Sequence, residues 1–276
     1  MNELTRLAAL PIDALEEKML EFPQAECGVR HHFFAGLYIR EVVIGAGTYA
    51  IGHKHRFPHV NILLEGVVQM VAPDGRALEL RAPQMYIGAP GRKVGYIQER
   101  IRWYNIWPTD ETDAEKLEDT LFEKSEAFHE AVATHALERE PQQLIGYDRE
   151  DYQAWLAEMG RTQQELEASF AKGSDCIPWP KGTYKVKVGH SSIQGRGLLA
   201  TADIEPGETI APARIGDYRT PAGRFTNHAR DPNAQMVKRG DTIYVVATRK
   251  ISGQHGGFDG EEVTVNYRQA VGEASS

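Results

Sequence analysis

Cysteine is scarce in this chain. Only Cys27 and Cys176 occur among its 276 residues, far apart and outside any CxxC spacing. That excludes a disulfide framework and a cysteine-rich zinc site, and it makes a reducing, cytoplasmic setting the expectation. Long apolar runs are lacking too. No stretch approaches what a membrane-spanning helix needs, so no membrane partner is expected. The opening MNELTRLAALPIDALEEKMLEFP breaks its apolar pattern with acidic residues, unlike a secretory signal. Nor is there a basic excess. The formal net charge is −8, and residues 109–172 alone carry 6 basic and 17 acidic groups, a net of −11. Such a middle segment repels phosphate, and nucleic acid is not an expected partner.

What is present divides the chain into segments. The length suits two domains, each with its own core. Residues 1–26 read as a helical segment with a turn at Pro23. From 27 to 108 the texture is short alternating runs, LYIREVVI, VNILLEGVVQMVA, ALELRA, MYIGA and RWYNIW, with turn signals at PDG and PG. Many short strands punctuated this way indicate an antiparallel β-sandwich or barrel. Residues 109–181 read as an acidic helical connector. Its first helix would open at Thr109, the second would close on Gly160, and Thr162 with Glu165 forms a capping-box pattern. Trp155, Leu156 and Phe170 would pack such helices on a neighbour. KGSDCIPWPKG ends the helices, and β runs return over 182–268 as TYKVKVG, TIYVVATRKI and EVTVNY, before a tail at 269–276. The fold class expected is mainly β with a helical connector.

In GTYAIGHKHRFPHVNILLEG, His53 and His55 are two apart, which in a strand puts them on one face, with His59 close behind. Imidazoles converging in this way suit a divalent metal such as Fe, Zn, Mn or Ni. The stretch resembles the first motif of the cupin family: glycine, five residues, HxH, three or four residues, glutamate, six residues, glycine. Gly47, His53, His55 and Gly66 occupy their places, and His59 stands where cupins usually have glutamate. The second cupin motif begins acceptably at Gly88, but its histidine position falls near Gly95. The resemblance covers 27–108 and implies a cupin-like β-barrel, which would often dimerise, so a homo-oligomer is expected from it.

Three pieces of the last third form a second constellation. They are Gly195-Arg196-Gly197, the stretch RFTNHARDPN with Arg224, Phe225, Asn227 and His228, and DGEEVTVNY ending in Tyr267. Glycines admit close backbone approach to a ligand, although a lone GxG equally makes an ordinary turn. In this order the pieces resemble the SET domain of protein lysine methyltransferases, a β-clip fold, over about 182–268. The resemblance implies that Gly195, Arg196 and Gly197 line the pocket for S-adenosylmethionine. Arg224, Phe225, Asn227 and His228 would close over that cofactor, and the Tyr267 hydroxyl would face the reacting methyl. The chain departs from the family in its short ARIGDYRTPAG insert, which leaves one wall of the lysine channel to Tyr218 or another element, and in Ala229 where serine commonly follows the Asn-His pair.

The function expected is a SET-type, S-adenosylmethionine-dependent methyltransferase acting on protein lysine, with a cupin-like accessory domain. A non-catalytic structural or assembly protein is the alternative. The pairing of the two resemblances suggests a bacterial or phage setting for it, with the virion as one location. A metal-dependent cupin is the third reading.

Overall fold

The computed structural model describes residues 11–71, 77–139, 145–165, 168 and 173–269. The PDG turn at 73–75 and Phe170 lie outside the described residues. The chain is mainly β, with helices concentrated between two β-rich parts. It divides into two compact units, Met1–Ala136 with Gln254–Phe258, and Leu137–Gly253 with Asp259–Ser276. Among the described residues no helix is long and apolar enough to cross a membrane.

The first unit begins with α1 (Ile12–Leu20) and continues through eight strands: β1 (Cys27–Phe34), β2 (Leu37–Ile44), β3 (Tyr49–Ile51), β4 (Lys54–His55), β5 (His59–Val71), β6 (Ala77–Arg81), β7 (Gln84–Gly88) and β8 (Val94–Pro108). The sheet runs β1-β2-β8-β5-β6, with β3 on β8 and β7 on β5, every pair antiparallel. β1 and β2 pair from Phe34↔Leu37 outward. The turn between them carries Gly36 at φ 74°, a backbone that disfavours any residue with a Cβ. Along β5 the partner changes: His59–Leu63 lies on β7 and Val67–Val71 on β6. The described path of pairings therefore stays open at β6 and does not close as a barrel would. Leu63, Val68, Leu80, Ile97 and Ile101 form a core cluster on this sheet. Simple alternation would put Leu63 and Val68, five apart on β5, on opposite faces, and the register shifts between them against β8 bring both into one cluster.

Residues 109–172 are not helical throughout, as their composition suggests. The first helix, α2 (Ala114–Leu121), starts at Asp113, whose carboxylate accepts from the backbone N–H of Glu115 and Lys116. Asp at an N-cap satisfies donors that the first turn leaves open. Phe122 and Glu123 then form β9, paired with Lys54 and His55 of β4. Burial decides this: Phe122 is an apolar side chain that the structure encloses. α3 (Glu126–Arg139) follows, and α4 (Ile145–Glu158) belongs to the second unit. Gly160 closes α4 at φ 64°. Thr162 and Glu165 exchange the reciprocal bonds of a capping box, at 2.8 and 3.3 Å.

The rest of the second unit comprises β10 (Gly182–Tyr184), β11 (Val186–His190), β12 (Arg196–Ala200), β13 (Thr209–Ile215), β14 (Tyr218–Arg219), α5 (Pro221–Phe225), β15 (Asn227–His228), β16 (Ala234–Arg239), β17 (Thr242–Ala247) and β18 (Glu262–Val265). Two small sheets result, β11-β12-β18-β15 and β14-β13-β17-β16. β15 runs parallel to β18, with Asn227 opposite Thr264 and His228 opposite Val265. α5 opens on Thr220, whose hydroxyl accepts from Gly223 N–H, followed by Pro221 at the first helical position. Gly223 faces the Ala213 carbonyl so closely that a Cβ would collide with it. Glycine there lets α5 lie against β13, which fixes where the following Asn-His pair emerges.

Candidate functional site

The two sequence constellations fall in different units. In the first unit, His53 lies just before β4, not in it, so the alternation argument fails for His53 and His55. His55 and His59 stack with ring centroids 4.2 Å apart and planes 18° off parallel. His53 sits edge-on to Phe128 at 4.6 Å. His59 donates from Nδ1 to the Phe57 carbonyl at 3.1 Å. Burial, reinforced by the nearby Lys124 and Arg40 charges, holds His53 down to about 3. Burial does the same to His55, to about 3, with His59, Lys93 and Arg40 adding to it. Burial also lowers His59. All three imidazoles are therefore neutral near pH 7, the form that binds metals.

Their arrangement is another matter. Among the described residues no group of three or more His, Cys, Asp or Glu side chains is placed to hold a metal ion. Stacked rings present faces to each other, whereas ligands must aim nitrogen lone pairs at one point. His53, His55 and His59 do not fit a metal as a three-ligand set. What they do have is orphaned polar atoms: His53 Nδ1, His55 Nδ1 and His59 Nε2 are buried with no hydrogen-bond partner. His53 and His55 border a cavity of about 230 Å³ within the first unit; His59 does not.

In the second unit the three sequence pieces come together. β12, which carries Arg196 and Gly197, pairs with β18, and β15 pairs with β18 on its other side. Asn227 Nδ2 stands 2.7 Å from Glu262 Oε1, 3.0 Å from Ser191 Oγ, 3.1 Å from the Arg196 carbonyl and 3.2 Å from the Gln194 carbonyl. One amide has two hydrogens to give, so acceptors are in surplus around it. Ser191 Oγ donates to the Glu262 carboxylate and accepts from the backbone N–H of Ile193 and Gln194. Burial pushes the Glu262 carboxyl above its ordinary value, while the bonds from Asn227 and Ser191 pull the other way. A Cβ at Gly197 would run into the Glu262 carboxylate, so glycine is what lets the two strands close here. Gly195, at φ 56°, faces open space. Arg196 and Arg224 both lay their guanidinium groups over the Phe225 ring, at 5.0 and 5.1 Å.

His228 is fixed at both nitrogens. The Tyr267 N–H donates to its Nδ1 at 3.2 Å, so Nε2 carries the proton and donates to Asp151 at 2.9 Å. Tyr267 donates its hydroxyl to the Thr226 carbonyl at 2.9 Å, and burial raises its pKa well above the ordinary phenol value. Trp155 and Tyr152 of α4 surround the Tyr267 ring at 5.1 and 6.1 Å. Tyr218, considered as a substitute for the missing wall, is instead 52% exposed on β14. Ala229 is buried and bonds through its N–H to the Val265 carbonyl.

Four contributors escaped sequence reasoning: Ser191, Glu262, and Asp151 and Tyr152 on α4. Glu262 carried a local signal, since it lies inside the GEE stretch. Ser191, four residues before Gly195, makes a common serine turn. Asp151 and Tyr152 had no signal beyond lying on the same helix as Trp155.

No protein-family model matches the chain, and no curated protein does. Solved structures similar to part of it include a cupin-2 domain containing protein from Shewanella frigidimarina, 17% identical, covering 38% of this chain and 99% of that one with a TM-score of 0.26. Ectoine synthase from P. lautus is 14% identical and covers 38% of this chain and 83% of that one, TM-score 0.28. An acetylacetone dioxygenase from Acinetobacter johnsonii is 15% identical, with 32% and 65% covered and a TM-score of 0.25. The solved proteins similar to the chain thus include cupin-type ones, at a level that carries no argument about activity.

Proposed function

We propose that the second unit is a SET-type methyltransferase unit that binds S-adenosylmethionine and acts on protein lysine, with the first unit as a cupin-like accessory domain. One observation supports this most: the Gly195–Gly197 turn, the Asn227-His228 pair and Tyr267 are drawn together by β12, β18 and β15 although they are far apart in sequence. An ordinary β domain has no need to gather those three pieces.

The donor set suits the cofactor. Its methionine end carries an ammonium and a sulfonium, both cationic. Surplus acceptors around Asn227, together with the Glu262 carboxylate, are what an ammonium seeks. Gly195 leaves open space beside them. Bound there, the cofactor supplies an electrophilic methyl group.

The chain's own residues would do the rest. Asn227 and Glu262 orient the cationic end, and orientation is worth much of the rate in an in-line displacement. His228, held between Asp151 and the Tyr267 backbone, keeps the β15–β18 junction rigid. A lysine amine must be neutral to attack, and its free pKa is about 10.4. Tyr152, Trp155 and Tyr267 make an aromatic surround that disfavours the ammonium form. Tyr267 is the catalytic residue in this reading, its oxygen aligning the methyl through weak CH···O contacts.

Transfer of labelled methyl from S-adenosylmethionine to lysine, on the chain itself and on lysine-rich proteins, tests the proposal. Wild type is expected to label and Tyr267→Phe to lose at least tenfold. Equal labelling by both removes Tyr267 from the mechanism. A second reading, a non-catalytic assembly scaffold acting as a homo-oligomer, is favoured by one feature: the Tyr267 hydroxyl is already engaged by the Thr226 carbonyl. Cofactor binding without any transfer to lysine supports that reading.

A further inference from the structure

The first unit's cavity is separate from the chemistry proposed above and has its own character. Its volume is about 230 Å³, below the range of pockets for drug-sized ligands, which restricts it to a small one. Strand residues Arg40, His55 and Val42 face it together with Phe122, Lys124 and Phe128 from the stretch after the sheet. Three nitrogens on this wall are buried without a hydrogen-bond partner: Arg40 Nε, His53 Nδ1 and His55 Nδ1. Buried polar atoms left without a partner are costly and rare, so such a concentration in one cavity points to something that answers them.

The charges narrow the choice. Two carboxylates reach the wall, and both are engaged. Glu16 is held by the Arg92 guanidinium, and Glu118 lies 3.5 Å from Lys124. Arg40 is different. It lies over the Phe122 ring at 5.4 Å and has no ion pair among the described residues. An uncompensated guanidinium beside two imidazole donors is a receptor for an oxygen acid, and guanidinium geometry matches carboxylate in particular. Phe122, Phe128, Met19 and Leu20 supply an apolar side of the cavity, while Gln24, Thr48 and Gln254 line it elsewhere, and the Gln24 amide is already bonded to the Met19 and Phe22 carbonyls. A dicarboxylate or sugar acid would bury polar groups against those apolar side chains without partners.

We propose that this cavity binds a small monocarboxylate with an apolar body, its carboxylate accepting from Arg40 and from the imidazoles of His53 and His55, and its body lying against Phe122 and Phe128. The site makes no use of a metal and works through protein donors alone.

Titration of benzoate, phenylacetate and hexanoate into the full chain, followed calorimetrically and by protein NMR, tests it. The expected result is saturable one-to-one binding of at least one probe, at about millimolar affinity or tighter. Benzamide, the neutral analogue of benzoate, should bind at least tenfold more weakly. Arg40→Met should lose tenfold or more, and His53→Phe should lose less. Because Arg40 also packs on Phe122, its variant is first checked for an unchanged NMR fingerprint. Should it misfold, the benzoate–benzamide ratio on wild type decides alone. Three results overturn the proposal: no saturable binding by any of the acids, equal binding of benzoate and benzamide, or acid binding that disappears with a chelator and survives Arg40→Met.

Discussion

In the first unit Arg40, His53 and His55 hold buried nitrogens toward a cavity with nothing to bond. In the second, Asn227, Ser191 and Glu262 form one bonded group and His228 with Asp151 another, and each of these side chains has a partner. Both regions cluster polar side chains, yet the first has a deficit of acceptors and the second a surplus of them. On the readings proposed above, the first arrangement would take an acidic ligand and the second a cationic one. Residue types alone do not distinguish these cases. A histidine two positions from another is a metal ligand, a donor or a stacked ring according to where the strand begins.

The largest expected effect concerns how the second region is held together. Trp155 is only 8% exposed and packs on Tyr267. Trp155→Ala should destabilise the protein by about 3–5 kcal/mol, by the lost burial and the cavity left behind. Denaturant unfolding measures it. A change under about 1 kcal/mol would mean α4 is not what secures the Tyr267 ring.

Acid should separate the regions next. His53 and His55 are held at about 3, below their ordinary 6.5, by burial. The unfolded chain therefore binds protons first. Stability is full above pH 6.5 and is lost as pH falls from 6.5 toward about 3, with an uptake of roughly two protons on unfolding. His53→Gln should halve that dependence. An unchanged slope in this variant would show that His53 is not a buried neutral imidazole.

A smaller effect is expected at Asp151. Asp151→Ala leaves the His228 Nε2 proton without its acceptor and removes one of the two carboxylates that hold Arg268, which bonds Asp151 at 2.7 Å and Glu158 at 2.9 Å. A loss of about 1–2 kcal/mol follows, read from unfolding at neutral pH. The same substitution should leave carboxylate binding in the first unit unaltered, which keeps the comparison sharp. Smallest is the pH response of Glu262, whose carboxyl is raised above 4.5 by burial. Cofactor affinity should be full at neutral pH and fall as pH drops through that raised value, since protonation removes the charge that faces the cation. Glu262→Gln should bind more weakly and respond less to pH.

Much of the strand pattern could be read directly. LYIREVVI corresponds to Leu37–Ile44, and EVTV to Glu262–Val265, because short runs rich in β-branched residues between turn signals are a local property. Helix ends at Gly160 and the Thr162–Glu165 box were legible for the same reason. β9 was not, since two residues become a strand only when a distant partner, Lys54–His55, lies beside them. The N-cap at Asp113 was obscured by the run of acidic residues that begins just after Thr109, any of which suits a first turn. In the second unit the glycine turn, the Asn-His pair and the tyrosine could be named, but not Ser191 or Asp151. Their bonds to Asn227 and His228 cross 36 and 77 residues and leave no local trace. In the first unit the histidines could be named but not their geometry. His53 precedes β4, and that single displacement turns an expected ligand set into a stacked pair and an outlier.

One measurement bears on the central claim most directly: calorimetric titration of S-adenosylmethionine into the full chain, with Asn227→Ala and Glu262→Gln alongside. Wild type should bind at about micromolar affinity, both variants at least tenfold more weakly, and Glu262→Gln should keep its fold by NMR. No binding by well-folded wild type, or equal binding by all three, would contradict it.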